Sequence, residues 1–244
     1  SHRGLVHMHF SAVFLPHLFR LFHGLASVVI PLRCAACDAV LEWQEGEWCG
    51  PCAFSLRRNL TQAQHRFAGR LDNVRCWSWW VPGEEGGERQ AVHRLKYGGR
   101  ANLGRALGKA MAEEAPIERW STPEKWAVVP IPLHRRRQRQ RGYNQSGLLT
   151  EGWCSVTGMV PMQLLVRTRH RSSLTRLGRR DRLQSLANTY RFDASLTWSP
   201  EDWDGIILMD DVVTTGATLE AAWTALRKAW NGPIDFVTLL DAAP

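Results

Sequence analysis

The residues best suited to chemistry form one continuous segment, in which two adjacent carboxylates precede a threonine-rich turn. Asp210 and Asp211 follow the apolar run 206–209, which is typical of a buried parallel strand. Ligands of open α/β sheets bind beyond the carboxyl ends of such strands. The turn 214–218 leads into a helix, and a helix N-terminus offers free N–H groups to a phosphate. Because paired carboxylates can accept hydrogen bonds from sugar hydroxyls, the segment predicts a site for a phosphorylated sugar.

The whole segment resembles the signature of type I phosphoribosyltransferases, which bind 5-phosphoribosyl 1-pyrophosphate (PRPP). The resemblance implies catalytic roles for Asp210 and Asp211, with Mg²⁺ carried on the pyrophosphate. It also implies that the same two acids bind PRPP together with Val213, Thr214, Thr215, Gly216, Ala217 and Thr218. The alternative is an ordinary strand, loop and helix with a threonine cap. Phospho-receiver domains also carry an acidic pair, but early in the domain rather than before its last helix.

A second basic segment supplies groups for phosphate recognition. Five arginines lie within residues 135–141, after the apolar strand pattern of residues 126–131. Arginine binds phosphate oxygens through two parallel hydrogen bonds, so Arg137, Arg141 and Lys96 are expected to hold the pyrophosphate. The same segment could equally contact a nucleic-acid backbone, with Tyr143 and tryptophans stacking on bases. A solvated basic loop is the third alternative.

Four of the six cysteines form two C-x-x-C pairs separated by 11 residues: Cys34, Cys37, Cys49 and Cys52. Each pair can supply two thiolates to a tetrahedral ion, which favours a structural Zn²⁺ site over a catalytic one. Iron is an alternative, as are unligated thiols or a redox pair. Cysteines used in this way indicate a reducing compartment, so we expect a cytoplasmic protein. Cys76 and Cys154 stand alone and are predicted to be buried.

Three motifs together resemble the ComF family. They are Leu95-Lys96-Tyr97 with Gly99, Pro130-x-Pro132-Leu133-His134 with Arg137, and 141–145 (Arg-Gly-Tyr-Asn-Gln), in order between the cysteine pairs and the acidic segment. The resemblance spans about residues 30 to 241 and implies a zinc finger joined to a phosphoribosyltransferase domain. It also implies a link to natural competence and DNA uptake, with single-stranded DNA and competence-machinery proteins as partners. Leu174 stands where the family usually has glutamine.

Strand and helix patterns alternate after residue 73, which predicts an α/β fold with a mostly parallel sheet flanked by helices, similar to type I phosphoribosyltransferases. Strands are expected near 74–81, 126–131, 163–168, 205–209 and 234–240. Helices are expected near 88–96, 102–115, 143–156 and 217–230. The Arg-rich insert 168–190 is expected to form an arm over the site. The predicted domains are a helix over 1–30, a zinc-ribbon-like finger over 31–56 and a phosphoribosyltransferase-like domain over 73–244, with a linker at 57–72.

The apolar stretch 10–32 recurs at helical spacing but is interrupted by Pro16, His17, Arg20 and His23. We expect it to pack on the protein, or else to lie on a membrane surface, without stable membrane insertion. The residues before Met8 are expected to be an expression remnant.

The net charge of +8 suits an anionic partner. Three functions remain open: a phosphoribosyltransferase of unknown acceptor, a single-stranded DNA-binding competence accessory, and a PRPP-sensing regulator without turnover.

Overall fold

The computed structural model describes residues 31–42, 44–55, 58–62, 67, 71–72, 74–81, 86–168 and 189–242. The helix predicted over 1–30 and residues 169–188 of the predicted arm lie outside this part of the chain. In chain order the elements are α1 (Gly50–Ser55), β1 (Arg58–Gln62), β2 (Cys76–Trp80), α2 (Gly87–Tyr97), α3 (Ala101–Glu114), β3 (Trp126–Pro130), α4 (Arg135–Arg141), α5 (Gln145–Thr157), β4 (Val160–Pro161), β5 (Leu165–Arg167), β6 (Tyr190–Phe192), β7 (Gly205–Val213), α6 (Ala217–Leu226) and β8 (Ile234–Asp241).

The central sheet has the strand order β1-β2-β8-β7-β3-β4. Strands β2, β8, β7, β3 and β4 are mutually parallel, and β1 pairs antiparallel with β2 at one edge. Every residue of β2, β3 and β8 is buried, as expected for strands that are covered on both faces. The predicted α/β class with a parallel sheet flanked by helices is confirmed.

The two faces of the sheet carry different layers. Helices α2, α3 and α5 share one apolar core with the cysteine segment and the tryptophans of β2. Helix α6 and strands β5 and β6 share the other core. Helices α3 and α5 pack closely at two glycines. A Cβ on Gly108 would lie 2.1 Å from the Leu149 carbonyl oxygen, and a Cβ on Gly152 would lie 2.1 Å from the Arg105 carbonyl oxygen. The two layers meet at the carboxyl edge of the sheet.

Two expectations about connectivity differ from the structure. The strand predicted near 163–168 does not join the main sheet; Leu165–Arg167 pairs antiparallel with Tyr190–Phe192 in a separate sheet. On the side of β3 away from β7, the parallel neighbour is instead Val160–Pro161, a strand too short to give a period. Within the predicted linker 57–72, β1 extends the main sheet as an antiparallel edge strand.

The arginine-rich segment predicted as a loop is the helix α4. The His134 Nδ1 atom accepts a hydrogen bond of 3.2 Å from the Arg136 backbone N–H, which caps the start of the helix. Gly142 ends it with a φ of 83°, the left-handed conformation that glycine adopts without a steric penalty. The prediction missed this helix because none of its residues is buried, so it carries no apolar period.

Candidate ligand cleft and metal cluster

A cleft of about 250 Å³ opens at the carboxyl ends of β3 and β7. Its walls come from both layers of the fold, and the two central strands provide its floor. The lining residues are Lys96, Ile131, Pro132, Leu133, Arg137, Arg141, Asn144, Gln145, Ser146, Arg167, Tyr190, Asp210, Asp211, Val212, Thr214 and Thr218. Seven predicted site residues therefore meet in one cavity: Lys96, Arg137, Arg141, Asp210, Asp211, Thr214 and Thr218.

The two carboxylates occupy different environments within the cleft. Asp210 is only 8% exposed, and its Oδ1 atom accepts hydrogen bonds from the Ser146 hydroxyl (3.0 Å) and the Asp211 backbone N–H (2.9 Å). Burial, together with the charge of Asp211, raises the pKa of Asp210 to about 7, although these hydrogen bonds and Lys96 oppose the shift. Asp211 is less buried and pairs with the Lys96 ammonium group at 3.2 Å. The pair therefore offers one buried acid that retains a proton near neutrality and one more accessible carboxylate that is paired with a lysine.

The cations of the cleft are positioned by α2, α4 and their neighbours. Arg141 donates to the Gln145 Oε1 atom (3.0 Å) and to the Tyr97 hydroxyl (3.2 Å), and its guanidinium carbon lies 4.9 Å from the Tyr97 ring centroid. Tyr143 donates to the Leu95 carbonyl oxygen at 2.9 Å, which fixes the last turn of α2 beside α5. Lysine and arginine side chains are thereby directed toward one anion-binding wall.

The threonine-rich turn supplies the opposite end of the cleft. Gly216 takes a φ of 79° before α6, and a Cβ there would lie 2.5 Å from the Phe67 ring, so the turn requires glycine. Thr214 and Thr218 line the cavity. The remaining predicted residues do not: Val213 is buried in the core, and the Thr215 hydroxyl accepts a hydrogen bond from the Ala217 backbone N–H at 3.4 Å. Gly216 and Ala217 shape the backbone of the turn.

Several cleft residues were not predicted as site residues. Asn144, Gln145 and Ser146 lie at the start of α5, directly beyond strand β3, and this position at the carboxyl edge is the signal that could have found them. Arg167 and Tyr190 come from β5 and β6, whose pairing joins residues far apart in sequence. No local pattern identifies that pairing.

The four predicted metal ligands lie together beside the sheet. The Sγ atoms of Cys34, Cys37, Cys49 and Cys52 all lie within 4.8 Å of one another, and those of Cys37 and Cys49 are 3.6 Å apart. Four thiolates around a tetrahedral zinc ion would be separated by about 3.8 Å, given Zn–S bonds of about 2.3 Å. All six cysteines are free of disulfides. The cluster could therefore hold a metal ion, and it fits the geometry of a structural site.

The surroundings of the cluster lower the pKa of one thiol, that of Cys34, and raise the pKa values of Cys49 and Cys52. Burial raises the pKa of the Cys34 thiol, but hydrogen bonds from the backbone N–H groups of Cys37, Cys49 and Ala36 lower it by a larger amount. The resulting pKa is about 6. Asp38 follows the first pair with a φ of 70°, a left-handed conformation that aspartate tolerates better than most residues.

Helix α2 connects the cysteine cluster to the cleft. Arg94 donates to the Cys34 carbonyl oxygen and to the Asp38 carboxylate. Arg100, just beyond the helix, donates to the Arg33 carbonyl oxygen and pairs with Glu47. Leu95 accepts a hydrogen bond from Tyr143, and Lys96 pairs with Asp211. Three consecutive residues of α2 therefore contact the cysteine cluster, a tyrosine just before α5 and the carboxylate pair.

The fold and the two sites define an α/β protein with a polar ligand cleft at the carboxyl edge of its parallel sheet and a separate cysteine cluster. No known family profile matches the chain. It is 33% identical to competence protein F of Haemophilus influenzae over 129 residues, which are 52% of this chain and 54% of that protein. It is 34% identical to the DNA utilization protein YhgH of Salmonella typhi over 141 residues (56% and 60%) and 28% identical to competence protein ComFC of Bacillus subtilis over 157 residues (62% and 59%).

These relatives confirm, over the matched part of the chain, the resemblance to ComF proteins that is seen in the sequence. The chain spans between 54% and 60% of the length of these three relatives. Within the described part of the chain, every helix is too short or too polar to cross a bilayer.

The buried carboxylate predicts a pH dependence of stability. The pKa of Asp210 is about 7 in the folded protein and about 4 in an unfolded chain. The folded state therefore binds the proton more tightly, and stability falls as the pH rises from about 4 to about 7. The Asp210→Asn variant retains the Oδ1 acceptor for Ser146 and Asp211 but cannot ionise. We expect it to lose this decline and to be more stable than the unchanged protein at pH 8, by at most about 4 kcal/mol.

Urea unfolding at pH 4.5 and pH 8 measures the effect, with Asp202→Asn as an exposed control. Equal pH dependence in the Asp210→Asn variant and the unchanged protein would show that Asp210 ionises normally.

Proposed function

We propose that the chain is a PRPP-binding, phosphoribosyltransferase-like protein of the ComF type. One observation carries the proposal: a carboxylate pair, two threonines at a helix N-terminus and three cations line the same cleft. Asp210 and Asp211 would accept hydrogen bonds from the ribose hydroxyls, and the turn at Thr214 and Thr218 would bind the 5-phosphate. Arg137, Arg141 and Lys96 would bind the pyrophosphate.

In a transfer reaction, the acceptor forms a bond to the anomeric carbon of the ribose while the bond from that carbon to the pyrophosphate oxygen breaks. The chain's own residues would orient the sugar and stabilise the charge of the departing pyrophosphate. Mg²⁺ bound to PRPP would neutralise part of that charge. The Asp211 carboxylate, which lies 3.2 Å from the Lys96 ammonium group, would balance the positive charge that develops on the ribose.

Binding of PRPP is tested by calorimetry and by thermal unfolding in the presence of Mg²⁺. We expect a dissociation constant in the micromolar range and an increase of several degrees in the melting temperature at ligand concentrations 100-fold higher, since such a ratio stabilises the folded state by about 2.7 kcal/mol. Asp211→Asn should weaken binding about tenfold or more because it removes a charged acceptor. Asp202→Asn is the exposed control and should leave binding unchanged. Absence of both heat and stabilisation at saturating PRPP would refute the proposal.

Binding and turnover are separable. Release of pyrophosphate from PRPP, followed across a panel of nucleobase and amine acceptors, would identify a transferase. PRPP binding without pyrophosphate release in any reaction would instead support the sensing role. Both functions use the same cleft.

We further propose that the cysteine cluster holds a structural Zn²⁺ ion. Four thiolates leave no position for substrate, and this donor set favours zinc among the abundant divalent metals. The cluster packs into the same apolar core as α2 and α3, so the ion would stabilise the fold and take no part in the reaction.

Zinc content measured by mass spectrometry should approach one ion per chain. Cys37→Ser should lower it several-fold and lower the melting temperature, because structural zinc contributes folding free energy. Cys154→Ala is the matched control, since Cys154 lies outside the cluster. Full zinc content in the Cys37→Ser variant would contradict a four-cysteine site.

A second function, binding of single-stranded DNA in the cytoplasm during competence, is favoured by the two faces of α4. Arg137 and Arg141 line the cleft, whereas Arg135, Arg136 and Arg139 are exposed and do not line it. Relatives named for competence and for DNA utilization are consistent with this role. We propose that the exposed arginines contact the DNA backbone and that competence-machinery proteins bind the same complex.

Replacement of Arg135, Arg136 and Arg139 together by glutamine should weaken binding to a labelled oligonucleotide while PRPP binding remains. Loss of three phosphate contacts should reduce the slope of log affinity against log salt by about 2. The control removes three exposed charges elsewhere, at Arg89, Arg191 and Lys228. Equal losses in the variant and the control would indicate a general charge effect and no DNA site on α4.

A further inference from the structure

Two hydrogen-bond donors in the cleft are buried and lack a partner. Within the described part of the chain, the Gln145 Nε2 atom and the Arg167 Nε atom have no hydrogen-bond acceptor, and both residues line the cavity. Gln145 is only 2% exposed. A buried donor left without an acceptor is costly, so these two atoms mark positions where a bound ligand supplies oxygen atoms.

The orientation of the Gln145 amide is fixed by its neighbour. Arg141 can only donate hydrogen bonds, and it donates to the other amide atom, Oε1, at 3.0 Å. The NH₂ group is therefore the part of the amide that lacks a partner. Gln145 is also the first residue of α5, a helix of 13 residues whose capping residue, Asn144, makes no side-chain cap. The free backbone N–H groups of this turn add to an anion-binding site.

Arg167 belongs to the opposite wall. It ends β5, and β5 and β6 pack in the same apolar core as α6, whose N-terminal turn carries Thr214 and Thr218. The guanidinium carbon of Arg167 lies 5.5 Å from the Tyr190 ring centroid, which restricts its orientation. The ring covers part of the charged group, while the Nε atom stays unpaired.

We propose that Gln145 and Arg167 are specificity-determining residues. They select a sugar that carries both a 5-phosphate and a pyrophosphate group over a sugar with a phosphate at one end only. This proposal rests on the proposed PRPP function. Gln145 binds oxygens of the pyrophosphate group, beside Arg141, and Arg167 binds oxygens at the 5-phosphate end, beside α6. Because the two donors lie on opposite layers of the fold, a ligand with one phosphate satisfies one donor and leaves the other buried and unpaired.

Two substitutions isolate the donors with little change in shape. Gln145→Glu retains the Oε1 acceptor for Arg141 and replaces only the NH₂ group. Arg167→Lys retains the positive charge and removes the Nε atom. Their matched controls are Gln138→Glu, an exposed residue of α4, and Arg191→Lys, an exposed residue on the strand paired with β5. Gln145→Met, which also lacks the donor but adds no charge, separates loss of the donor from charge repulsion.

Calorimetry with three ligands in Mg²⁺ buffer tests the proposal: PRPP, ribose 5-phosphate and pyrophosphate. We expect Gln145→Glu, Gln145→Met and Arg167→Lys each to weaken PRPP binding by about tenfold or more, the usual cost of a lost hydrogen bond to a charged group. Pyrophosphate binding should fall only in the Gln145 variants, and ribose 5-phosphate binding only in Arg167→Lys. Both control variants should bind all three ligands within about twofold of the unchanged protein.

The outcomes separate the two claims. If the unchanged protein binds PRPP and the Gln145 and Arg167 variants bind it equally well, the specificity pair is wrong while the proposed function stands. If both substitutions weakened binding of the same partial ligand, either ribose 5-phosphate or pyrophosphate, the assignment of the donors to opposite ends would also be overturned. If the unchanged protein binds no PRPP, the proposed function fails, and the pair fails with it.

Discussion

The structure of the cleft depends on one constraint, the burial of a carboxylate at the end of a buried parallel strand. Asp210 follows four fully buried residues of β7, so its charge is costly without compensating groups. The fold supplies a hydroxyl from α5, a backbone N–H and a nearby lysine from α2. These contacts draw two helices of one layer against the carboxyl edge of the sheet. The same contacts create one polar wall of the cleft.

The last turn of α2 transmits this constraint to the cysteine cluster. Arg94 donates a hydrogen bond to the Cys34 carbonyl oxygen. The Leu95 carbonyl oxygen accepts a hydrogen bond from the Tyr143 hydroxyl, and Lys96 pairs with Asp211. A helix fixes the relative directions of consecutive side chains, so a shift of the cysteine segment would also move the lysine and the tyrosine contact. The finger is therefore part of the scaffold of the cleft, which explains why its cysteines share an apolar core with α2, α3 and β2.

The sequence was informative where chemistry and local structure coincide. Asp210, Asp211 and the turn at Gly216 were predictable because a buried strand, a carboxylate pair and a helix start lie within a dozen residues. The cysteine pairs were predictable from spacing alone. Helix α4 was missed because none of its residues is buried, and Arg167 and Tyr190 were missed because their strands pair across a long insertion. Features that arise from tertiary pairing or from full solvation leave no period in the sequence.

The division of the cleft between two layers also explains why the basic residues near it are not interchangeable. Lys96 forms an ion pair with Asp211. Arg141 donates hydrogen bonds to Gln145 and Tyr97. Arg167 lines the cleft from the opposite layer. Each cation is held by a different element, so each has a separate position relative to a bound ligand. A surface with the same net charge but without these contacts would attract anions without selecting among them. If the cleft binds the proposed ligand, its selectivity would therefore depend on fixed donors, and the net positive charge of the chain would supply attraction.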